Sequence, residues 1–266
     1  MNELENDAKN INMLGAFYGK RDVPELTSEQ LFKKYGFKQA DVMVLFGGSI
    51  LCGGNVLAEA MQKHIAKKYV IVGGAGHTTE TLRIRMHDAF PMIETNGLPE
   101  AEVFDKYLQY QYRLEVDFLE CRSTNCGNNI TYLLDLLREN NVDFKSIILS
   151  QDATMQHRME AGLKKYAGND VQIINYAVYA VKVVVKNAKL SYEQDIWGMW
   201  EMERYISLLM GEIPRLSDDE NGYGPKGTNY IAHVDMPSEI RQAFYELCDK
   251  YSELIRQANS EYASCK

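Results

Sequence analysis

Short apolar runs alternate along the chain with longer segments in which apolar residues recur every three or four positions. The runs are too apolar to leave one face of a sheet in water, so each predicts a strand buried on both faces. The longer segments predict helices, and this alternation predicts a parallel sheet covered by helices. The predicted strands lie in DVMVLFGGS (41–49), YVIVGG (69–74), VDFLE (116–120), SIILS (146–150) and VQIINY (171–176). The predicted helices cover 54–67, 79–90, 99–112, 130–141 and 152–166.

The two ends of the chain have a different pattern from its central part. Residues 1–38 predict polar helical turns that Pro24 and Gly36 interrupt. From about residue 190 the pattern predicts a long amphipathic helix over 192–212, then a polar loop, then a last helix over about 237–258. The predicted parts are a helical extension (1–38), an α/β ligand-binding domain (39–188) and a smaller helical C-terminal lobe (189–266).

Composition and charge exclude several classes of protein. Hydrophobic residues make up 45% of the 266 residues and charged residues 25%, as in folded globular chains rather than disordered ones. The net charge of −8 argues against binding to a nucleic-acid backbone, so we expect no nucleic-acid partner. The sequence starts with acidic and polar residues and has no run of about 20 apolar residues. We therefore expect a cytoplasmic protein without a membrane partner.

Common cofactor and metal motifs are missing from the sequence. The five cysteines are scattered, and the histidines and carboxylates lack the spacing of a metal site, so we expect no metal. Neither glycine cluster after the first two strands matches G-x-G-x-x-G, and no G-x-x-x-x-G-K-[ST] or G-x-S-x-G motif occurs, which argues against NAD, P-loop and serine-hydrolase interpretations. Cys126 precedes a predicted helix and could be a low-pKa thiolate, but burial against the sheet is the simpler interpretation.

Glycine and polar residues gather directly after the predicted strands. Because the carboxyl ends of parallel strands meet at one edge, where ligands bind in open α/β sheets, we expect these residues to line one pocket. Glycine lets a ligand approach the backbone closely, and the helix starts behind the loops favour an anionic group. The clusters are Gly47, Gly48 and Ser49; Gly73, Gly74, Gly76 and His77; Ser123, Thr124 and Asn125; and Gln151 and Asp152.

Two amides and two carboxylates have the right chemistry for a small molecule. Asn125 and Asn129 are four residues apart, so one helix turn presents both amides, which suit adenine edges, ribose hydroxyls or amino-acid groups. Glu100 and Asp152 could accept hydrogen bonds from hydroxyl groups or from an ammonium. Helix capping is the alternative role for asparagine and aspartate at such positions.

The tail contains an aromatic stripe and a polar loop. Trp197, Trp200 and Tyr205 recur at helical spacing, which is typical of a core face rather than a ligand platform. The loop over 214–227 is rich in glycine and charge, so we expect it to act as a lid or as an anchor for the tail. In that role, Arg215 is expected to pair with a carboxylate near the ligand edge.

Several motifs in these segments resemble those of the YdcF-like proteins, a branch of the wider SanA/ElyC/YdcF group of bacterial proteins. They extend over nearly the whole chain after residue 40. The tail motif is the most specific, because it separates the cytoplasmic YdcF-like branch from membrane-anchored relatives. The motifs are GGAGHTTE (73–80), the pair Glu100-Ala101, ECRSTNCGNN (120–129), SQDATMQHR (150–158), WEMERYISLLMGEIPRLSDDENGYGPKG (200–227) and HVDMP (233–237).

The resemblance implies a Rossmann-like α/β domain with a smaller helical C-terminal part, and S-adenosylmethionine as a ligand. The family commonly has an acidic residue where this chain has Asn128, so the resemblance also implies a different ligand affinity here. The positions that it assigns to the ligand site are Gly47, Gly48, Gly73, Gly74, His77, Glu100, Asn125, Asn129, Gln151, Asp152 and Arg158.

Together these observations predict a protein that binds S-adenosylmethionine, or a related adenosine compound, at the carboxyl edge of the sheet. If the protein is an enzyme, we expect methyl transfer to a small molecule, because an already electrophilic methyl group needs positioning more than acid–base groups. One alternative is a non-catalytic sensing protein that couples ligand occupancy to the tail. The other is a phosphate-ester hydrolase or transferase that uses the glycine loops and Arg158.

Overall fold

A five-stranded parallel sheet forms the centre of the computed structural model, which describes residues 2–76 and 78–255. Its strand order is β3-β2-β1-β4-β5, and every neighbouring pair is parallel. A separate antiparallel hairpin, β6-β7, follows it in the chain. The strands are β1 (Ala40–Phe46), β2 (Ala66–Val72), β3 (Phe118–Glu120), β4 (Ser146–Ser150), β5 (Gln172–Asn175), β6 (Val183–Lys186) and β7 (Lys189–Tyr192). The predicted α/β fold with a Rossmann-like parallel sheet is confirmed.

Helices cover the sheet and form the C-terminal region. Those of the central part connect successive strands of the sheet, because parallel strands can be joined only by a crossover connection. The helices are α1 (Glu3–Tyr18), α2 (Ser28–Tyr35), α3 (Cys52–Gln62), α4 (Thr79–Ala89), α5 (Glu100–Tyr112), α6 (Cys126–Glu139), α7 (Gln156–Tyr166), α8 (Met202–Leu216) and α9 (Ser238–Tyr251). A single 3₁₀ turn, Ser252–Leu254, follows α9.

The central strand β1 shows why the apolar runs become strands with two buried faces. Its side chains alternate between two separate hydrophobic clusters, and all of them from Val42 to Phe46 are at most 2% exposed. Met43 and Leu45 belong to the cluster that includes α3 and α5, whereas Val42 and Phe46 belong to the cluster under α6 and α7. A strand that packs on both sides needs apolar residues at every position, which is the pattern read from the sequence.

Helix α1 packs against the end of the described chain rather than against its own neighbours. It contacts α8, α9 and β6, and its Ile11, Leu14 and Tyr18 side chains are fully buried. The Asn10 amide donates to Glu246 of α9 at 2.7 Å. The helical extension and the C-terminal helices therefore share one hydrophobic core.

The helix predicted over 192–212 starts later than the pattern indicates. Strand β7 ends at Tyr192 and α8 begins at Met202, after an irregular segment in which Gly198 has a φ of +76°. A left-handed backbone there interrupts a helix, and a periodic apolar pattern does not reveal it. At its other end α8 continues through Pro214 to Leu216, so the predicted loop over 214–227 starts later.

The hairpin β6-β7 was not predicted. Lysines interrupt the apolar residues of this segment, which hides the strand pattern. Asn187 and Ala188 have φ values of +51° and +57°, as in the two-residue turns that connect tight hairpins. Two smaller differences concern helix ends: α3 stops at Gln62 rather than at residue 67, and α9 stops at Tyr251.

Among the residues that the structure describes, no helix is both long enough and apolar enough to cross a membrane.

Candidate functional site

A cavity of about 380 Å³ lies at the carboxyl ends of the central strands. It lies where β1 and β4 are neighbours and the direction of the crossovers reverses, which is the usual ligand position in this kind of sheet. Each predicted site residue within the described ranges lines this cavity. These are Gly47, Gly48, Ser49, Gly73, Gly74, Gly76, Glu100, Asn125, Asn129, Gln151, Asp152 and Arg158. His77 lies outside the described residues.

The glycines after β1 and β2 leave room for protein atoms. A Cβ atom at Gly47 would lie 2.5 Å from Glu100 Oε2, and one at Gly73 would lie 3.0 Å from the Glu100 Cβ atom. A Cβ atom at Gly74 would overlap the carbonyl oxygen of Ser123. We expected these glycines to admit a ligand, but their close contacts are with the Glu100 side chain and with the segment after β3.

Glu100 is the first residue of α5, and its carboxyl group lies on the cavity floor. Its backbone N–H donates to the Gly74 carbonyl, which fixes the start of the helix against the loop after β2. Its Oε1 accepts hydrogen bonds from the hydroxyls of Thr78 and Thr79 at 3.2 and 2.9 Å. Burial raises the pKa of this carboxyl, and the two threonines and the Arg83 charge only partly oppose that shift.

Gln151 connects the loops after β1 and β4. Its Nε2 donates to the Gly47 carbonyl at 3.3 Å, and its Oε1 accepts from the Asp152 N–H at 2.6 Å. Its own N–H donates to Gln156 at the start of α7. These bonds hold the two loops at a fixed separation across the reversal point.

Asp152 forms its hydrogen bonds inside the protein. Its Oδ1 accepts from Thr154 N and Oγ1, both at 2.9 Å, and from the Tyr179 hydroxyl at 2.7 Å. Its Oδ2 accepts from Trp200 Nε1 at 2.7 Å. The carboxylate is only 6% exposed, so its main role is to anchor Trp200 at the cavity wall.

Some of the polar groups at the start of α6 are hydrogen-bonded within the protein, and others are not. Asn125 caps the helix, because its Oδ1 accepts from Asn128 N at 2.9 Å, and its Nδ2 donates to Asn128 Oδ1. The capping alternative therefore applies to Asn125, and Asn128 completes the cap rather than lining the cavity. Within the described ranges, no acceptor binds the N–H groups of Cys126 and Gly127, and no partner binds the Asn129 amide. All three residues line the cavity, so this helix start can receive an anion.

Arg158 forms a buried ion pair at the boundary between α7 and α8. Its Nε and Nη2 donate to the two carboxylate oxygens of Glu212 at 2.7 and 3.0 Å. The two side chains are only 13% and 6% exposed. The resemblance assigns Arg158 to the ligand site, and the phosphate-ester alternative uses it as well. The structure shows a bidentate pair that joins the two helices.

The wall formed by α8 and the following loop was largely missed from the sequence. Trp200 is buried in the hydrophobic core, as expected, and it also lines the cavity. The other lining residues beyond residue 200 are Arg204, Leu208, Gly211, Glu212, Arg215, Tyr223, Tyr230 and Ile231. Ile130, Met155 and Met159 add apolar surface from the sheet side. Two features of the sequence indicated this wall. One was the aromatic stripe, whose spacing is the same for a core face and for a cavity wall, and the other was the loop over 214–227, which was expected near the ligand edge.

Two arginines on this wall have no carboxylate partner in the part of the chain that the structure describes. The Arg204 guanidinium lies 5.6 Å from the centre of the Trp200 ring. Arg215 donates to the Gly211 carbonyl, one turn earlier in α8. The prediction that Arg215 pairs with a carboxylate is therefore wrong, since the nearby carboxylate, Glu212, is taken by Arg158.

The loop after α8 is held over the cavity by its own hydrogen bonds. Asp218 Oδ1 accepts from Lys226 N at 2.8 Å, and Asp218 Oδ2 lies 2.6 Å from His233 Nδ1. His233 Nε2 lies 3.1 Å from Asp235. These contacts close a loop whose Tyr223 lines the cavity, as expected of a lid or an anchor.

We expect the contribution of this loop to stability to depend on pH. The hydrogen bonds from His233 to Asp218 and Asp235 raise the pKa of His233, so its contribution is complete below about pH 6.5 and is lost as the pH rises through the raised pKa. The Lys226 N–H and the imidazole hydrogen bond lower the pKa of Asp218, so its contribution is lost only in acid. The difference in Tm between the wild type and His233→Asn should be larger at pH 5.5 than at pH 8.5, although small at both because the imidazole is exposed. A constant difference would contradict this role.

The described residues contain no group of three or more histidine, cysteine, aspartate or glutamate side chains arranged to hold a metal ion. No protein-family model matches the chain.

Proposed function

We propose that this protein binds S-adenosylmethionine or a related adenosine compound in the cavity at the carboxyl ends of the strands. The observation that carries the proposal is the division of the cavity into two chemically different walls. One wall consists of glycine loops, polar groups and the apolar side chains of Ile130, Met155 and Met159 from the sheet side. The other consists of aromatic, apolar and cationic side chains from α8 and its loop. A nucleoside with an acidic group has the same two kinds of surface.

The volume and lining of the cavity suit a molecule of this size. Ligand cavities of about 300–1,000 Å³ are usual for small molecules, and this one measures about 380 Å³. Met155, Met159 and Ile130 from one side, with Leu208 and Tyr223 from the other, provide the apolar surfaces between which a purine ring can pack. The Asn129 amide can both donate to and accept from a base or ribose edge.

The anionic part of the ligand would lie between the start of α6 and the arginines of α8. Among the described residues, the N–H groups of Cys126 and Gly127 have no acceptor, and they lie at the positive end of a helix dipole. Arg204 and Arg215 add positive charge without a carboxylate partner in the described ranges. A carboxylate or a phosphate can use these donors, whereas a neutral ligand would leave the guanidinium groups unpaired.

The test is calorimetric titration of the protein with S-adenosylmethionine, S-adenosylhomocysteine and inorganic phosphate. We expect the two adenosine compounds to bind with a Kd below 1 mM, on the order expected for a ligand of this size. Arg204→Gln should weaken their binding about tenfold, because a charge-assisted contact is lost. The matched control is Arg241→Gln, an exposed arginine on α9 that lies away from the cavity.

The result also separates the remaining alternatives. Binding of phosphate but not of either adenosine compound would replace this proposal with the phosphate-ester interpretation. If S-adenosylmethionine binds, mass spectrometry of protein purified without added ligand, and of the mixture after incubation with candidate methyl acceptors, separates a methyltransferase from a sensing protein. Equal effects of Arg204→Gln and Arg241→Gln would contradict the assigned anion position.

A further inference from the structure

Among the described residues, three carboxyl groups line the cavity, and they differ in what they bind within the protein. Asp152 accepts four hydrogen bonds on its two oxygens, and Glu212 forms the bidentate pair with Arg158. Glu100 accepts only the two threonine hydroxyls, both on Oε1. Within the described ranges, no donor binds its Oε2, and no cationic side chain forms an ion pair with it. Glu100 is therefore the cavity carboxyl group with the most capacity left for a ligand.

The carboxyl group of Glu100 lies where the loops after β1 and β2 meet. A Cβ atom at Gly47 would lie 2.5 Å from Glu100 Oε2, and a Cβ atom at Gly73 would lie 3.4 Å from the same oxygen. Because both residues are glycines, neither has a side chain that covers this oxygen. The Glu100 residue is only 8% exposed and lines the cavity, so a bound ligand can contact it while bulk water is largely excluded.

The protein supplies too little positive charge to compensate for the burial of this carboxyl group. Arg83 acts on it, but the Arg83 guanidinium donates to the Leu98 carbonyl and pairs with Glu80 at 3.1 Å. The start of α5 adds the positive end of a helix dipole. Burial still raises the pKa of Glu100, so these contributions do not outweigh the loss of hydration. A cation beside Oε2 would stabilise the charged form, since buried charges are normally paired.

The opposite wall of the cavity has the complementary charge. Arg204 and Arg215 line the cavity from α8 and have no carboxylate partner in the part of the chain that the structure describes. A ligand with charge of one sign would pair with only one of the two walls. A zwitterion pairs with both, because its anionic group can lie against the arginines and its cationic group against Glu100.

We propose that Glu100 binds a cationic group of the ligand, so that the ligand of this cavity is a zwitterion. The cation is an ammonium or a sulfonium group, since a carboxylate attracts both. This inference rests on the proposed function and narrows it. S-adenosylmethionine carries both cations beside a carboxylate, whereas the phosphates of an adenosine nucleotide are only negative.

The test removes the charge of Glu100 and the cations of the ligand separately. Calorimetry measures the Kd of S-adenosylmethionine, S-adenosylhomocysteine and desamino-S-adenosylhomocysteine for each protein. All three compounds contain the adenosine and the carboxylate. The first also has a sulfonium and an ammonium group, the second has only the ammonium group, and the third has no cation.

The proteins compared are the wild type, Glu100→Gln and Glu102→Gln. Glutamine keeps an oxygen acceptor for the hydroxyls of Thr78 and Thr79, and it removes only the charge. Glu102 is the matched control, because it lies in the first turn of the same helix and does not line the cavity. The desamino compound reports whether Glu100→Gln still has an intact cavity.

We expect the wild type to bind S-adenosylmethionine at least about tenfold more tightly than the desamino compound. Glu100→Gln should lose this difference and bind the desamino compound as the wild type does, and Glu102→Gln should behave like the wild type. Loss of affinity for S-adenosylhomocysteine as well assigns the contact to the ammonium group, and unchanged affinity assigns it to the sulfonium group.

Two results would overturn the cation contact while the adenosine proposal stands. One is a wild type that binds the desamino compound as tightly as S-adenosylmethionine, which is measured without any variant. The other is a Glu100→Gln protein that weakens the binding of both compounds equally, or of neither.

S-methylmethionine, which has both cations and the carboxylate but no adenosine, distinguishes the failure of the two proposals. Binding of S-methylmethionine that depends on Glu100, with no binding of any adenosine compound, would support the cation contact and overturn the adenosine assignment. A wild-type protein that binds none of the four probes at millimolar concentration would overturn both.

Discussion

Replacing Glu212 by glutamine will lower the free energy of unfolding by about 3–5 kcal/mol, because it leaves the Arg158 charge buried without its carboxylate. The pair is bidentate, with distances of 2.7 and 3.0 Å between the guanidinium nitrogens and the carboxylate oxygens. The Arg158 and Glu212 side chains are only 13% and 6% exposed. It also joins α7 to α8, so its loss should loosen the cavity wall. Urea denaturation measures the effect. The slope of the unfolding free energy against urea concentration should be the same for the wild type and the variant, because a changed slope would indicate a changed unfolded state.

Two further variants show whether the missing charge is the cause. Glu203→Gln removes an exposed carboxylate from the first turn of the same helix and should change stability by less than about 0.5 kcal/mol. The double variant Arg158→Leu with Glu212→Leu should recover most of the loss, because an apolar pair leaves no charge to desolvate. A double variant as unstable as Glu212→Gln alone would show that the effect comes from packing.

Replacing Asp152 by alanine should have an effect of similar size, about 3–5 kcal/mol, because four donors lose their acceptor in a buried site. These donors belong to Thr154, Tyr179 and Trp200. Trp200 should also become mobile, which tryptophan fluorescence can follow in a Trp197→Phe background. The single remaining tryptophan is then the one at the cavity wall.

The control for this prediction is Asp170→Ala, which removes an exposed aspartate from the loop before β5. It should leave both stability and the Trp200 emission unchanged. If Asp152→Ala lowers ligand affinity while stability and emission match the wild type, Asp152 contacts the ligand directly and the anchoring role is wrong.

The central sheet could be predicted because its strands are apolar on both faces. Val42 to Phe46 must pack in both directions, so no polar residue interrupts the run. The start of α8 could not be predicted in the same way. Trp197 and Trp200 continue the helical spacing of Tyr205, but the left-handed Gly198 between them depends on a close fit against Leu51, far away in the sequence.

The sheet side of the cavity could be predicted because parallel strands bring their carboxyl ends to one edge. Gly47, Gly73 and Gln151 reach the same place by topology alone. The opposite wall depends on how α8 packs on the sheet, and no local pattern encodes that. The residue type also does not show which hydrogen bonds a carboxyl group forms. Both oxygens of Asp152 accept hydrogen bonds from protein donors, whereas among the described residues only Oε1 of Glu100 does.

The packing of α1 has a consequence for the order of folding during synthesis. Its partners include Glu246 of α9, which is 236 residues later than Asn10. At about 5–20 residues per second, a ribosome needs roughly 10–50 s to add that length of chain. During this time the sheet can assemble, but the apolar face formed by Ile11 and Leu14 has no α8 or α9 to cover it. The nascent chain therefore exposes the apolar face of α1 until α8 and α9 emerge. We expect a chaperone that binds apolar segments to bind this helix during that time.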